Sequence, residues 1–207
     1  MSYEVQKISE LPAITEVIKR SQGLALLDAI IMPEWQNRYF SFNCNWDQAR
    51  NEMMASMRDG SGNEYFLHFS KTGVAGKVLY EKKLENASSL LLEVPECFSS
   101  FKNESAFTLE SVTFFLWRRP EDNDWVALPH NLKSYALLGF LIGGSSYYHN
   151  WAENYYGKKI NLDVLNEVFC SLTINSDLLK ILNPEITIEE LGDDVLEIFG
   201  NEYGHVT

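Results

Sequence analysis

The apolar positions of the chain change period twice. From residue 11 to 31 they recur every three to four residues: Leu11, Ile14, Val17 and Ile18, then Leu24, Leu27, Ile30 and Ile31 ahead of Pro33. That spacing lines one face of a helix. Ser9 is placed to cap it and Pro12 is tolerable in a first turn, whereas Gly23 weakens the middle. The pattern predicts either one bent helix or two short ones.

From residue 38 the period drops to two. In RYFSFNCNW, Tyr39 alternates with Phe40 and Phe42, as in a half-buried strand. The following DQARNEMM is compatible with helix by propensity alone. Asp59-Gly60-Ser61-Gly62 then separates two candidate strands at 52–58 and 64–70, a strong hairpin signal. Lys71-Thr72-Gly73 turns the chain into GVAGKVLY, extending the pattern to a meander, with Gly73 and Gly76 suited to a turn and to a bulge or close backbone approach. Leu90, Leu91, Leu92, Val94 and Phe98, interrupted by Pro95, predict a short helix or turn lying over the sheet. ESVTFFLWRR and DWVAL, joined through PEDND, form a second hairpin. The connections among these strands lack the dozen-residue crossovers of a parallel sheet, so the sheet is expected to be antiparallel.

After Pro129 the texture is helical. Helices are predicted at 132–141, ended by Gly143-Gly144, at 146–156, at 161–171 capped by Asn161, and at 175–182 capped by Asn175. The last, at 187–199, carries a Thr187-x-x-Glu190 capping box and an apolar face of Ile188, Leu191, Val195, Ile198 and Phe199. The expected architecture is α+β: an antiparallel sheet of about five to six strands, an N-terminal helix and a helical C-terminal third. It is read as one domain over 1–207, with a helical segment at 1–32, a mainly antiparallel sheet at 33–130 and a helical segment packed on it at 131–207.

Composition narrows the function classes. Against 17 basic residues stand 29 acidic ones, a net charge of −12. Such a surface repels phosphate backbones, and basic pairs such as Lys82-Lys83, Arg118-Arg119 and Lys158-Lys159 stay short, so no nucleic-acid partner is expected. The most apolar stretch, 135–144, is about half a membrane span, and the N-terminus has acidic residues where a secretory signal wants basic ones. No membrane partner is expected, and a cytoplasmic location fits. Cys44, Cys97 and Cys170 are few and widely spaced, which argues against a disulfide framework and reads as three small buried hydrophobes in a reducing compartment.

Catalytic signatures are missing. The chain contains neither H-E-x-x-H nor C-x-x-C, and the GSG at 60–62 sits in a hairpin turn instead of a phosphate-binding loop. LIGGSSY at 141–147 lacks the second glycine of a nucleophile elbow. No cofactor is expected. His68 falls on the same strand face as Phe66, where packing is as good an explanation as chemistry. The alternative site for an enzyme is a pocket of Tyr147, Tyr148, His149, Trp151 and Glu153, where imidazole, carboxylate and phenol groups lie close in sequence.

The acidic charge is uneven: residues 151–207 hold eleven carboxylates against three lysines. Glu189, Glu190, Asp193, Asp194 and Glu197 fall on the helix face opposite the apolar stripe. Asp193 and Glu197 repel at i,i+4, so local stability alone does not explain them, and a basic protein would be steered to this face.

RYFSFNCNW, NEMMASMRDGSGNEYFLHFS, TLESVTFFLWR, WAENYY and NPEITIEELGDDVLEIF together resemble a widespread bacterial family of proteins of about this length, over residues 33 to 200. That family has no assigned activity, so the resemblance supplies no catalytic residues. It is similar in kind to the immunity proteins of toxin systems: small, acidic, cytoplasmic and without enzymatic motifs. The function expected is a protein-binding module, of the immunity type that inhibits a basic effector. An enzyme with a site near His149 and a self-associating structural subunit remain open as alternatives.

Overall fold

The computed structural model describes residues 7–130, 132 and 135–200. Lys133 and Ser134 of the helix expected at 132–141, together with Glu202 and His205, lie outside the described residues.

The chain forms an α+β fold whose six-stranded antiparallel sheet follows chain order: β1 (Phe40–Asp47), β2 (Glu52–Arg58), β3 (Glu64–Ser70), β4 (Gly73–Leu79), β5 (Phe114–Arg118) and β6 (Val126–Leu128). The β2–β3 turn works as its residues dictate. Gly60 and Gly62 take positive φ, while Asp59 Oδ1 accepts from the backbone N–H groups of Ser61 and Asn63. DQARNEMM is a turn and then a strand: Asp47 Oδ1 accepts from the Ala49 N–H, and Asn51 takes a left-handed conformation that ends any helical run. Gly73 also meets its expectation, because a Cβ there would lie 2.2 Å from the Arg118 carbonyl oxygen.

Both faces of the sheet are covered. Between β4 and β5 the chain makes α2 (Ala87–Glu93) and α3 (Ser99–Lys102), placing Leu90, Val94, Phe98, Phe101 and Phe107 on Phe66, Phe115 and Trp117. The other face carries Phe42, Tyr65, Leu67, Phe69 and Leu116. On it pack α1 (Ile14–Ile31), α7 (Gly192–Phe199) and, through Phe140 and Tyr148 on Phe40, α4 (Gly139–Tyr156), while α5 (Leu162–Ser171) and α6 (Ser176–Leu182) pack behind them on α1. Each fully buried Phe or Leu contributes about 1.5–3 kcal/mol through removal from water.

α1 is a single helix. Gly23 does not break it, and a Cβ there would stand 2.8 Å from Phe169 Cδ2, so the bare position admits the ring of α5. The expected Ser9 cap is replaced by Ala13, which offers no side-chain bond; Ser9 belongs to a short 3-10 turn. α4 runs across the Gly143-Gly144 break with a kink at Gly144 (φ 58°, ψ −144°). Arg20 of α1 donates to the Leu141 and Ile142 carbonyls exposed there, at 2.8 and 2.6 Å. Asn161 and Asn175 cap α5 and α6 as expected.

Two expectations are corrected. The segment 187–199 is helical only from Gly192, because the Thr187–Glu190 capping box closes a separate turn before the helix starts. The cysteines are not buried hydrophobes: Cys97 and Cys170 are exposed and Cys44 half-buried, each on a segment whose apolar neighbours take the core positions.

Candidate functional site

The start of β1 is fixed from inside by Asp28, a wholly buried carboxylate in the middle of the apolar face of α1. Its Oδ2 accepts from the backbone N–H groups of Tyr39 and Phe40, at 2.6 and 3.0 Å. Its Oδ1 accepts from the hydroxyls of Tyr148 and Tyr156, at 2.7 and 2.8 Å. Four donors offset the loss of water, yet burial still dominates and raises the carboxyl above its ordinary range. The preceding residue, Arg38, locks the same corner from outside. Its guanidinium forks onto both carboxylate oxygens of Asp194 in α7 and donates to the carbonyls of Met32 and Pro33.

These two anchors hold open a cleft of about 380 Å³ between the start of β1, the end of β2, α7 and the end of α4. Its rim is aromatic. Trp35 is 58 % exposed and Tyr155 49 % exposed, large values for such side chains. The Arg58 guanidinium stands 5.7 Å from the Trp35 ring centre and forms no ion pair among the described residues. Inside, burial and the nearby Asp59 push the Tyr39 hydroxyl up to about 12.

The sequence-predicted acidic residues divide. Asp194 and Glu197 line this cleft, the first committed to Arg38 and the second accepting from Asn43 Nδ2 at 3.3 Å. Glu189, Glu190 and Asp193 are exposed and do not line it, and Glu190 serves the Thr187 capping box. Because α7 begins at Gly192, Asp193 and Asp194 sit in its first turn, where the positive helix end favours carboxylates. Part of their placement therefore has a local cause.

The residues around His149 spread over both sides of α4. Tyr148 is wholly buried on Asp28, and Trp151 packs among Tyr39, Phe40, Phe140 and Tyr155. Tyr147 contacts the Phe140 ring. His149 Nε2 lies 2.9 Å from the Ile160 carbonyl, and Glu153 accepts from the Ile160 N–H, which draws its pKa below the usual range. His149 and Glu153 thus clamp the chain after α4, and none of the five lines the cleft beside α7. Sequence spacing does not group Trp35, Arg38, Arg58 and Tyr155 into this candidate corner. Its one legible trace was Asp28, a lone carboxylate inside the apolar run LALLDAII.

A second cleft, of about 370 Å³, lies at the far end of the β1–β2 hairpin and is lined by Trp46, Asp47, Arg50, Glu52, Ser100, Asn103 and Glu104. Behind it His68 Nε2 lies 3.2 Å from Glu52 Oε2, with the imidazole 2 % and the glutamate 6 % exposed. Burial lowers the His68 pKa in spite of the neighbouring Glu52. Among the described residues no group of three His, Cys, Asp or Glu side chains could hold a metal ion, and no helix is long and apolar enough to cross a membrane. Comparison with protein-family models, curated proteins and solved structures returned no match.

Proposed function

We propose that this chain is a protein-binding module of the immunity type, which docks a basic protein on the cleft beside α7. The observation that carries this reading is the exposure of Trp35 and Tyr155 around Arg58, in a cleft also lined by the α7 carboxylates Asp194 and Glu197. Trp, Tyr and Arg are the residue types that dominate interface energetics. Here they surround a concave surface that Asp28 and Arg38 hold in shape without the partner, so little ordering cost falls on association. The acidic rim and the net charge of −12 supply long-range attraction for a cationic surface. The partner inserts an apolar or aromatic group between Trp35 and Tyr155 and sets lysine or arginine side chains against α7.

The test begins with capture from the native host by wild-type protein and by a Trp35→Ala/Tyr155→Ala variant, followed by purification of any protein retained by the wild type alone. Calorimetric titration of the purified pair should show affinity falling as salt is raised. Trp35→Ala should weaken binding by about tenfold or more. Binding that ignores salt, or a partner held equally by the double variant, sinks the reading.

A further inference from the structure

We propose that the second cleft, at the Asp47–Glu52 end of the β1–β2 hairpin, is a binding site for an alkylammonium group. It is separate from the docking cleft, which lies at the Phe40–Met57 end of the same hairpin.

Glu52 is the deciding group. Its side chain is 7 % exposed yet lines the cleft, and its partner is His68 through Oε2 alone; Oε1 accepts no hydrogen bond among the described residues. Burial lowers the His68 pKa, and its Nε2 orients the carboxylate from one side only. A carboxylate this deeply buried is ordinarily paired with a cation. The cation on the cleft wall, Arg50, is engaged elsewhere: its Nε lies 3.4 Å from Asp47 Oδ2 and its Nη1 donates to Ser100 Oγ at 3.0 Å. Glu104 adds a second negative charge while holding Trp46 in place, its Oε2 accepting from the indole Nε1 at 3.2 Å. Phe107 stacks on the Trp46 ring at 5.9 Å and 17°. The wall therefore joins an open carboxylate oxygen to a fixed indole, the two elements that attract an organic cation.

The chemistry selects among cations. A metal ion lacks the three donors it needs. A guanidinium binds best through two parallel bonds to both oxygens of a carboxylate, and one oxygen of Glu52 is already taken by His68. An ammonium needs one strong acceptor at a point, which Oε1 offers, and the volume leaves room for an alkyl stem beside Trp46. Such a group is carried by a lysine side chain of a protein or by a free alkylamine.

Titrating the full chain with n-butylamine, with Nα-acetyl-lysine methylamide and with 1-butanol separates these cases, read on the indole N–H resonance that Trp46→Phe removes. Both amines should shift the resonance and the alcohol should not. Glu52→Gln should weaken amine binding about tenfold, and Arg50→Gln should strengthen it, an opposite change that keeps the test valid if the first variant folds poorly. Tighter binding of the lysine amide than of butylamine assigns a protein side chain as the natural occupant, and equal binding assigns a free amine. An unchanged resonance at tens of millimolar amine, equal shifts with butanol, or no effect of either substitution overturns the proposal.

Discussion

Each face of the sheet buries an ionisable group, and the two are treated differently. Under the five-helix face, Asp28 is held by two phenols and two backbone N–H groups, with no cation among its hydrogen-bond partners. Under the α2–α3 face, Lys77 is wholly buried but reaches Glu64 at 2.6 Å and three oxygens of Thr108 and Ser111. The first group is held by four converging donors, two of them phenols that also pack on Trp151. The second belongs to a pair whose carboxylate is partly solvated and can survive alone. Removing a buried ionisable group therefore costs most where its partners cannot return to water.

That contrast predicts an order of effects. Asp28→Ala strands the buried Tyr148 phenol, the half-buried Tyr156 phenol and two N–H donors, and should cost about 3–5 kcal/mol in urea unfolding. It should also loosen the cleft beside α7, since Tyr39 and Phe40 lose their anchor. Lys77→Met, which fills the same space and leaves Glu64 free to hydrate, should cost about 1–2 kcal/mol or less. Equal losses for the two variants would break the comparison.

Acidity sharpens it further, because the two faces respond with opposite sign. The folded-state pKa of Asp28 is raised above its unfolded 3.8, so its contribution is fully present below 3.8 and is lost as pH rises through the raised value. The folded-state pKa of His68, on the other face, is lowered below 6.5; its contribution is present above 6.5 and is lost as pH falls through the lowered value. Asp28→Asn should flatten the alkaline-going decline and His68→Gln the acid-going one, each by up to about 1.4 kcal/mol per pH unit where the group titrates. Unfolding curves recorded across that range check both signs. The smallest effect should come from Thr187→Ala, which removes the exposed capping box ahead of α7 at a cost of about 1 kcal/mol or less.

The two halves of the chain were also unequally legible. The β2–β3 hairpin was readable because Asp59-Gly60-Ser61-Gly62 carries its own turn chemistry, and α5 and α6 because Asn161 and Asn175 are local caps. Local rules failed where a distant residue decided the outcome. Gly23 reads as a helix breaker until Phe169 is seen to need its missing side chain. Capping-box spacing at Thr187 predicts a helix start, yet the helix waits for Gly192. The clefts were illegible for the same reason: Asp194 reaches Arg38 from 156 residues away, Tyr148 reaches Asp28 from 120, and no spacing rule spans such distances. Clustering in sequence, which drew attention to His149, placed its members on both sides of one helix.

Chain-order pairing of the strands has a kinetic corollary. Four of the five strand junctions close through short turns or loops, and the β4–β5 junction alone must bring ends together across the whole excursion from Tyr80 to Thr113. Loop-closure entropy within the sheet is concentrated at that one seam. The β1–β4 meander and the β5–β6 hairpin each close locally at low entropic cost, and the Val78–Phe114 register carries the largest closure cost in the sheet.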